Sequence, residues 1–204
     1  GLIAGGKLTA EEVQTSARTI KSESERMTAI IRQLLDFARQ APAPHETINL
    51  NEIVIRTIDL IRSLAGKSGV EIATDVPKFP ILIQGDAGQV QQVLTNLMTN
   101  AIAAMPDGGT ATVSLQVNRE TNQACLKVSD TGVGIDTTDL QRIFEPFYTT
   151  KDVGQGTGLG LSIAYGIVKE HGGTITVHSE PGKPTTFEVD FPQAHQNSEK
   201  EPQS

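Results

Sequence analysis

Apolar and small residues recur at alternating intervals of four and three between residues 7 and 39, which is the spacing of a helix that buries one face against other helices. Three further apolar residues, Ile30, Leu35 and Phe37, widen this face beyond a two-stranded seam and favour a four-helix bundle. A lone helix cannot cover such a face, so the pattern predicts a helix that packs against partners. The seam positions are Val13, Ala17, Ile20, Ser24, Met27, Ile31, Leu34 and Ala38.

Polar and proline signals mark where this helix begins and ends. Thr9 and Glu12 have the spacing of a capping box, in which the two residues satisfy each other's backbone N–H groups. Pro42 and Pro44 cannot continue a helix and indicate a connection. We therefore predict a helical domain over residues 1–41 and a linker over residues 42–50.

The pattern downstream of this linker alternates between helical and strand periodicity. We predict a second domain over residues 51–192, with a sheet closed by its last two strands. Residues 193–204 are polar and lack apolar anchors, which predicts a disordered tail. The expected helices span 51–64, 87–105 (capped by Asp86), 140–144 and 159–170, and the expected strands span 70–74, 81–83, 111–117, 123–129, 174–178 and 185–191.

Composition narrows the possible functions. The single cysteine excludes an internal disulfide and a thiolate cluster and fits a reducing compartment, so the expected location is cytoplasmic. The formal net charge of −7 argues against nucleic acid or an anionic membrane surface as a partner. No stretch of the sequence is long and apolar enough to cross a bilayer. The start at Gly1 resembles a cut inside a longer protein, and a membrane anchor upstream stays possible.

Two asparagines supply the first candidate chemistry. Asn96 and Asn100 are four residues apart on a predicted helix, so their amides project from the same face. An amide oxygen is a hard ligand that suits magnesium with its waters and phosphate oxygens. The alternative for such a pair alone is a solvated helix edge, and the two glycine motifs downstream favour the functional interpretation.

The first glycine motif follows an apolar strand. Asp130 precedes Gly132 and Gly134, and its carboxylate can accept a hydrogen bond from the exocyclic amine of adenine, which guanine lacks. The glycines allow a sharp turn and a close approach to the base. Alone, this pattern also fits an ordinary connection between a strand and a loop.

The second motif places Gly154, Gly156, Gly158 and Gly160 before a predicted helix. These residues predict a mobile loop that leads into a helix start, where free N–H groups suit phosphate oxygens. A dinucleotide fingerprint would follow the first strand of a βαβ unit, and a Walker loop would place lysine after its last glycine. Lys151 lies between the motifs and either contacts the terminal phosphate or is a solvated loop residue.

The order of these motifs resembles that of the sensor histidine kinases, within the wider family shared with DNA gyrase and the mutL-type ATPases. The run from Asn96 to Asn100 is similar to their N box, Asp130–Gly134 to the G1 box, Phe144–Phe147 to the F box and Gly156–Leu161 to the G2 box. The resemblance covers residues 47–192. It implies an α+β fold, a two-layer α/β sandwich of the Bergerat type with a mixed sheet on helices, preceded by the second helix of a dimerisation hairpin.

The resemblance also implies the ligands and the residues that bind them. Asn100 is expected to bind Mg²⁺, Asn96 to line the phosphate side and Asp130 to select adenine in ATP. Expected partners are a second copy of the chain, through the helical domain, and the receiver domain of a response regulator. The expected nucleotide-binding residues are Asn96, Asn100, Asp130, Gly132, Gly134, Ile135, Lys151, Gly156, Thr157, Gly158, Leu159, Gly160 and Thr185.

The chain departs from the family pattern at several positions. Ala103 stands where the family often has lysine or arginine, so Lys151 is a candidate substitute. The segment Gly182–Thr185 replaces the usual Gly-x-Gly-Thr. Asn96 stands where the ATPase branches place a glutamate to activate water, and an amide cannot act as a general base, so hydrolysis is disfavoured as the primary activity.

The acceptor histidine of the family, within His-Glu-x-x-Asn-Pro, has no counterpart in a helix of this sequence. His45 begins the one similar run, but that run lacks the proline and follows the predicted helix. The expectation is thus an ATP-binding kinase fragment that phosphorylates a histidine on a helix absent from the chain. Two alternatives remain: a serine kinase of the anti-sigma type, and a nucleotide-gated dimerisation module without kinase activity.

Overall fold

A computed structural model describes residues 9–38, 46–151 and 156–194, and it divides into two compact units, 1–41 and 42–204. The first unit contains α1, Ala10–Ala38. Thr9 Oγ1 accepts a hydrogen bond from Glu12 N at 3.2 Å, and Glu12 Oε2 accepts one from Thr9 N at 2.8 Å, which confirms the capping box. Seam residues Val13, Ile20 and Met27 are exposed in this unit. The predicted helix ends, residues 7 and 39, lie outside the described residues.

The described part of the second unit combines three long helices with two sheets. Its main sheet has the strand order β2-β4-β5-β7-β6, in which β2 and β4 are parallel and the other neighbours are antiparallel. Its elements are β1 Glu46–Asn49, α2 Leu50–Lys67, β2 Val70–Asp75, β3 Leu82–Gly85, α3 Ala87–Ala103, β4 Gly109–Asn118, β5 Gln123–Asp130, α4 Thr137–Leu140, α5 Gly160–Glu170, β6 Thr174–His178 and β7 Thr185–Pro192.

Strand alternation places the core on one face of the main sheet. Inward residues such as Leu126 and Val189 are fully buried, and their sequence neighbours Lys127 and Glu188 are half-exposed. The buried residues of α2, α3 and α5 join the inward residues in one hydrophobic cluster. The expected α+β fold, with a mixed sheet on helices, is therefore present.

Several predicted boundaries were wrong. Residues 46–49 of the predicted linker form β1, which pairs with β3, and Leu50 already begins α2; residues 42–45 are not among the described ones. At the other end, Gln193 bridges Ile83 and Ala194 N donates to Leu82 O, so these two residues do not belong to a tail. Residues 195–204 lie outside the described part of the chain.

Other elements shifted by a few residues. The helical turn expected at 140–144 is α4 at 137–140, because Asp136 caps it by accepting a hydrogen bond from Thr138 N. The helix expected at 87–105 ends at Ala103, and the one expected at 51–64 continues to Lys67. The strand expected at 81–83 is β3 at 82–85. These ends depend on caps and pairing partners more than on periodicity.

Candidate functional site

The two asparagines of α3 face different neighbours, one helical turn apart. Asn96 Nδ2 donates a hydrogen bond to Gly160 O, at the first residue of α5, over 2.9 Å. Asn100 Oδ1 accepts one from Lys151 Nζ over 3.5 Å. Both asparagines are half-buried. The structure therefore brings together the helix face, the start of α5 and the candidate lysine.

Lys151 is half-buried beside Asn100, and burial lowers the pKa of its ammonium group. Among the described residues, no carboxylate pairs with this ammonium group. Ala103, the position that the family often gives to a basic residue, is exposed on α3. A partly desolvated cation without a counter-ion is a favourable environment for an anion such as phosphate.

The opposite end of the site is made by two strands of the sheet. Asp130 ends β5 and Thr185 begins β7, the two are register partners, and both are buried. Burial raises the pKa of the Asp130 carboxyl, and the hydrogen bond that its Oδ1 accepts from Gly132 N at 2.9 Å acts in the opposite direction. A carboxylate acceptor and a hydroxyl thus stand side by side at the rim of the sheet.

Glycine is required in the turn that follows Asp130. A Cβ atom on Gly132 would lie 2.6 Å from Ala104 O, and one on Gly134, whose φ is +76°, would overlap Glu180 O. Val133 N donates to Ala104 O over 3.1 Å, so the turn packs on the C-terminal end of α3. On its other side, Ile135 N donates to Ser179 Oγ over 2.9 Å. The close approach that the sequence predicted for these glycines is made to protein backbone.

The start of α5 is open, in the sense that no side chain among the described residues caps it. Its N-cap residue, Leu159, is buried and provides no side-chain hydrogen bond to the first turn. Helix starts leave N–H groups without intrahelical partners, and these groups favour phosphate oxygens. Gly158 precedes it with φ +66°, and its carbonyl accepts a hydrogen bond from Phe147 N over 2.9 Å. Gly156 and Thr157 are half-buried in the same approach, and Gly154 lies outside the described residues.

The segment that carries Lys151 is anchored by two aromatic residues. Phe144 packs near Tyr165 and Phe187, with ring centroids 5.4 Å and 6.5 Å away. Tyr148 donates from its hydroxyl to Asp139 Oδ1 over 2.5 Å, and the Arg142 guanidinium lies 4.2 Å from the centre of its ring. These contacts anchor the segment, with one exception. Phe147 is exposed and has a positive φ of 67°.

The donor set suits a cation that arrives with a nucleotide. Within the described residues there is no group of three His, Cys, Asp or Glu side chains that could hold a metal alone. Asn100 Oδ1 is a hard oxygen, and it accepts a long hydrogen bond of 3.5 Å from Lys151 Nζ. One amide oxygen fits Mg²⁺, which keeps several waters and takes phosphate oxygens as further ligands.

The two histidines of the described part, His171 and His178, do not lie on an exposed face of a helix. His171 is buried: its Nε2 accepts from Asp86 N over 3.0 Å, and its Nδ1 lies 2.8 Å from Ile167 O. His178 is exposed at the end of β6. His45 and His195 lie outside the described residues. No helix in the described part has the length and apolarity of a membrane span.

Sequence reasoning missed Ser179. This residue lies between the glycine turn and Thr185, because its Oγ is 2.9 Å from Ile135 N and 2.8 Å from Thr185 Oγ1. A serine between a strand and a turn carries no distinctive local signal. The pairing of β5 with β7, which sets Thr185 opposite Asp130, is the information that would have identified it.

Comparisons with known proteins agree with this geometry. Residues 85–195 match the family model described as "Histidine kinase-, DNA gyrase B-, and HSP90-like ATPase". The chain is 39% identical over 186 residues to "Sensor kinase CckA" of Brucella abortus, covering 85% of this chain and 20% of that protein. It is 40% identical over 172 residues to "Sporulation kinase A" of Bacillus subtilis, covering 84% and 28%. The chain thus spans less than a third of the length of these relatives.

A solved structure extends the likeness to three dimensions. The full-length protein ShkA, in complex with AMPPNP, superimposes with a TM-score of 0.77 at 26% identity. The match covers 93% of this chain and 40% of that one. AMPPNP is an analogue of ATP, so a protein with this fold holds an adenine nucleotide.

Proposed function

The chain belongs to the histidine kinase-, DNA gyrase B-, and HSP90-like ATPase family, and we propose that it is the ATP-binding catalytic part of a two-component sensor histidine kinase. The relatives that are named as kinases share 39% and 40% of their residues with it over the matched stretch. Asn96, in place of the glutamate of the ATPase branches, supports phosphoryl transfer over hydrolysis, because an amide cannot take a proton from water.

One observation carries this proposal: the site has two ends of opposite chemistry. Asp130 and Thr185 form an end that suits a base with an amino group. Lys151, Asn100 and the open start of α5 form an end that suits phosphates. We propose that Asn96 and the backbone from Gly156 to Gly160, with Thr157 and Leu159, line the phosphate end. Gly132, Gly134 and Ile135 would line the base end.

Phosphoryl transfer requires mainly positioning and charge stabilisation from the protein. Asp130 would hold the base, and the Lys151 ammonium would bind the terminal phosphate. A nitrogen of the acceptor histidine forms a bond to the γ-phosphorus as the bond to the bridging oxygen breaks, and ADP leaves. Mg²⁺, held by Asn100 Oδ1, would neutralise charge on the phosphate oxygens.

We propose that the acceptor histidine lies on a helix outside this sequence and that an aspartate of a response regulator receives the phosphoryl group. The exposed seam of α1 supports pairing with a second copy of the chain, since Val13, Ile20 and Met27 follow one another at intervals of seven residues and are exposed in their own unit. A cytoplasmic location follows from a reaction that uses ATP.

Titration calorimetry tests the binding step. With magnesium present, we expect heat from ATP and ADP and none from GTP. Asp130→Asn should weaken ATP binding by about a hundredfold, since it replaces a charged acceptor by an amide that also carries donors. Asp136→Asn, at an exposed helix cap, is the matched control and should bind normally. Absence of heat from both adenine nucleotides would refute the proposal.

The transfer step needs a chain that carries the acceptor. We expect radiolabel from γ-labelled ATP to appear on a dimerisation hairpin mixed with this chain, as acid-labile phosphohistidine, and Asn100→Ala to abolish it. Acid-stable phosphoserine on a partner would favour the anti-sigma type instead. Tight ATP binding without any transfer would favour a nucleotide-gated dimerisation module.

A further inference from the structure

Three groups form a hydrogen-bonded chain behind the base end of the site. Ile135 N donates to Ser179 Oγ over 2.9 Å, and Ser179 Oγ lies 2.8 Å from Thr185 Oγ1. Thr185 is buried opposite Asp130 on the neighbouring strand. Side chains that oppose each other on neighbouring strands are in reach of a common ligand. Ser179 therefore connects the end of the glycine turn to a hydroxyl at the proposed base site.

Counting donors and acceptors shows which group donates in each of these hydrogen bonds. A hydroxyl has one proton to donate and two lone pairs. The amide of Ile135 can only donate, so it occupies one lone pair of Ser179. If Thr185 also donated to Ser179, the serine proton would have no acceptor in either of these two hydrogen bonds. If Ser179 donates to Thr185, each bond is satisfied and the threonine proton is left for a ligand.

The resulting pattern is specific for adenine. The edge of adenine presents an amino donor next to the acceptor nitrogen N1, whereas guanine presents an acceptor oxygen next to an N1–H donor. Ionised Asp130 only accepts hydrogen bonds. A carboxylate acceptor beside a hydroxyl donor matches adenine at both positions, whereas guanine places its acceptor oxygen against the carboxylate.

We propose that Ser179 is a positioning residue that makes Thr185 a hydrogen-bond donor to N1 of adenine, directly or through water, and so contributes to the choice of ATP over GTP. The inference rests on the proposed function, because it concerns the base end of the ATP site. Ser179 need not touch the nucleotide. It acts by accepting a hydrogen bond from Ile135 N on one side and donating one to Thr185 Oγ1 on the other.

The chain offers a matched control on the opposite face of the same strands. Ser129 Oγ and Thr186 Oγ1 are also 2.8 Å apart, on β5 and β7, one residue along from Asp130 and Thr185. This second pair is half-buried on the face away from the core. Ser129→Ala removes a serine–threonine hydrogen bond of the same kind and leaves the hydrogen bonds among Ile135, Ser179 and Thr185 intact.

The experiment compares ATP with 1-deaza-ATP, in which a C–H group replaces N1. For the unaltered chain we expect ATP to bind about tenfold more tightly than the analogue, the value of one good hydrogen bond. Ser179→Ala should weaken ATP binding by about tenfold and leave the analogue within a factor of two, so that the preference disappears. Ser179→Thr should restore it, and Ser129→Ala should keep it.

The outcomes separate this inference from the proposed function. No binding of ATP by the unaltered chain refutes the function itself. Normal ATP binding, with equal weakening of ATP and 1-deaza-ATP in Ser179→Ala, would show that the serine only supports the fold and would overturn the inference. If Ser179→Ala does not fold, Thr185→Val provides the second test: it should lose the preference for ATP, and a retained preference would also overturn the inference.

Discussion

The helices α3 and α5 lie side by side, and their N-terminal ends are built in opposite ways. At the start of α3, Asp86 Oδ1 accepts a hydrogen bond from Gln89 N over 2.8 Å. At the start of α5, the N-cap residue Leu159 accepts none through its side chain, and glycines precede it. A capped start stabilises its helix, whereas an open start keeps N–H groups for a ligand. The difference separates the part of the domain that supports the fold from the part that is proposed to bind phosphate.

His171 connects the capped start of α3 to the C-terminal end of α5. Its Nε2 accepts from Asp86 N at the start of α3, and its Nδ1 lies 2.8 Å from Ile167 O in the last turn of α5. Gly172, with φ +68°, and Gly173, whose N donates to Val168 O over 2.9 Å, complete the C-terminal end of α5. Helix α5 is therefore fixed at its C-terminal end and open at its N-terminal end, toward the proposed phosphate site.

In this comparison, the largest effect on ATP binding is expected from the Lys151 ammonium group, which lies with the open start of α5 at the proposed phosphate end. Burial lowers the pKa of Lys151 in the free protein, and a bound phosphate would raise it again. The protein should then take up a proton when ATP binds, at pH values between the lowered pKa and its ordinary value. ATP affinity should accordingly fall as pH rises through that window. Calorimetry in buffers of different ionisation enthalpy measures the uptake.

Lys151→Met should remove this proton uptake and weaken ATP binding by about tenfold. Lys127→Met is the matched control, because Lys127 pairs with Glu188 over 2.7 Å on the face of the sheet away from the helices. It should change neither affinity nor uptake. Proton uptake that persists in Lys151→Met would show that another group titrates, and the phosphate end would then need a different cation.

A smaller effect is expected at the capped start of α3, and it concerns stability. Asp86→Ala should lower the free energy of unfolding by about 1 kcal/mol, the usual cost of losing an N-cap, and leave ATP affinity within a factor of two. Asn49, which caps α2 by accepting from Asn51 N over 3.1 Å, provides a second example, and Asn49→Ala should behave alike. Urea unfolding and calorimetry measure the two quantities. A loss of affinity as large as the loss of stability would break the distinction between the helix starts.

The sequence predicted the parts of the fold that depend on local pattern. The long helices and the five strands of the main sheet were placed correctly, apart from their ends, because each has its own apolar period or alternation. Strand β1 was missed because its four residues hold a pattern too short to distinguish from a linker. It exists because β3, more than thirty residues later, supplies its hydrogen bonds. No local signal encodes such a partner.

The candidate site was predictable to a similar degree. Asn96, Asn100 and Asp130 lie in motifs that can be read along the chain, and their roles remain predictions. Their neighbours are a different matter: the approach of Lys151 to Asn100 joins positions 51 residues apart, and Ser179 reaches Ile135 across 44. Contacts of this kind follow from sheet pairing and helix packing, which periodicity does not specify.

Two glycines in α5 provide the finest test of the comparison. Gly166 lies in the middle of the helix, and a Cβ atom there would meet no heavy atom within 4 Å. Gly166→Ala should therefore raise the free energy of unfolding by about 0.5–1 kcal/mol, because alanine favours the helix, and should not change ATP affinity.

Gly160 is the first residue of the helix, where a Cβ atom would lie 3.7 Å from Asn96 Cγ. Gly160→Ala fits without a clash but adds a methyl group at the proposed phosphate end, so we expect a smaller gain in stability and a few-fold loss of ATP affinity. Urea unfolding and calorimetry on both variants decide the matter: an equal response of stability and affinity at the two positions would mean that the start of α5 is ordinary helix and does not receive phosphate.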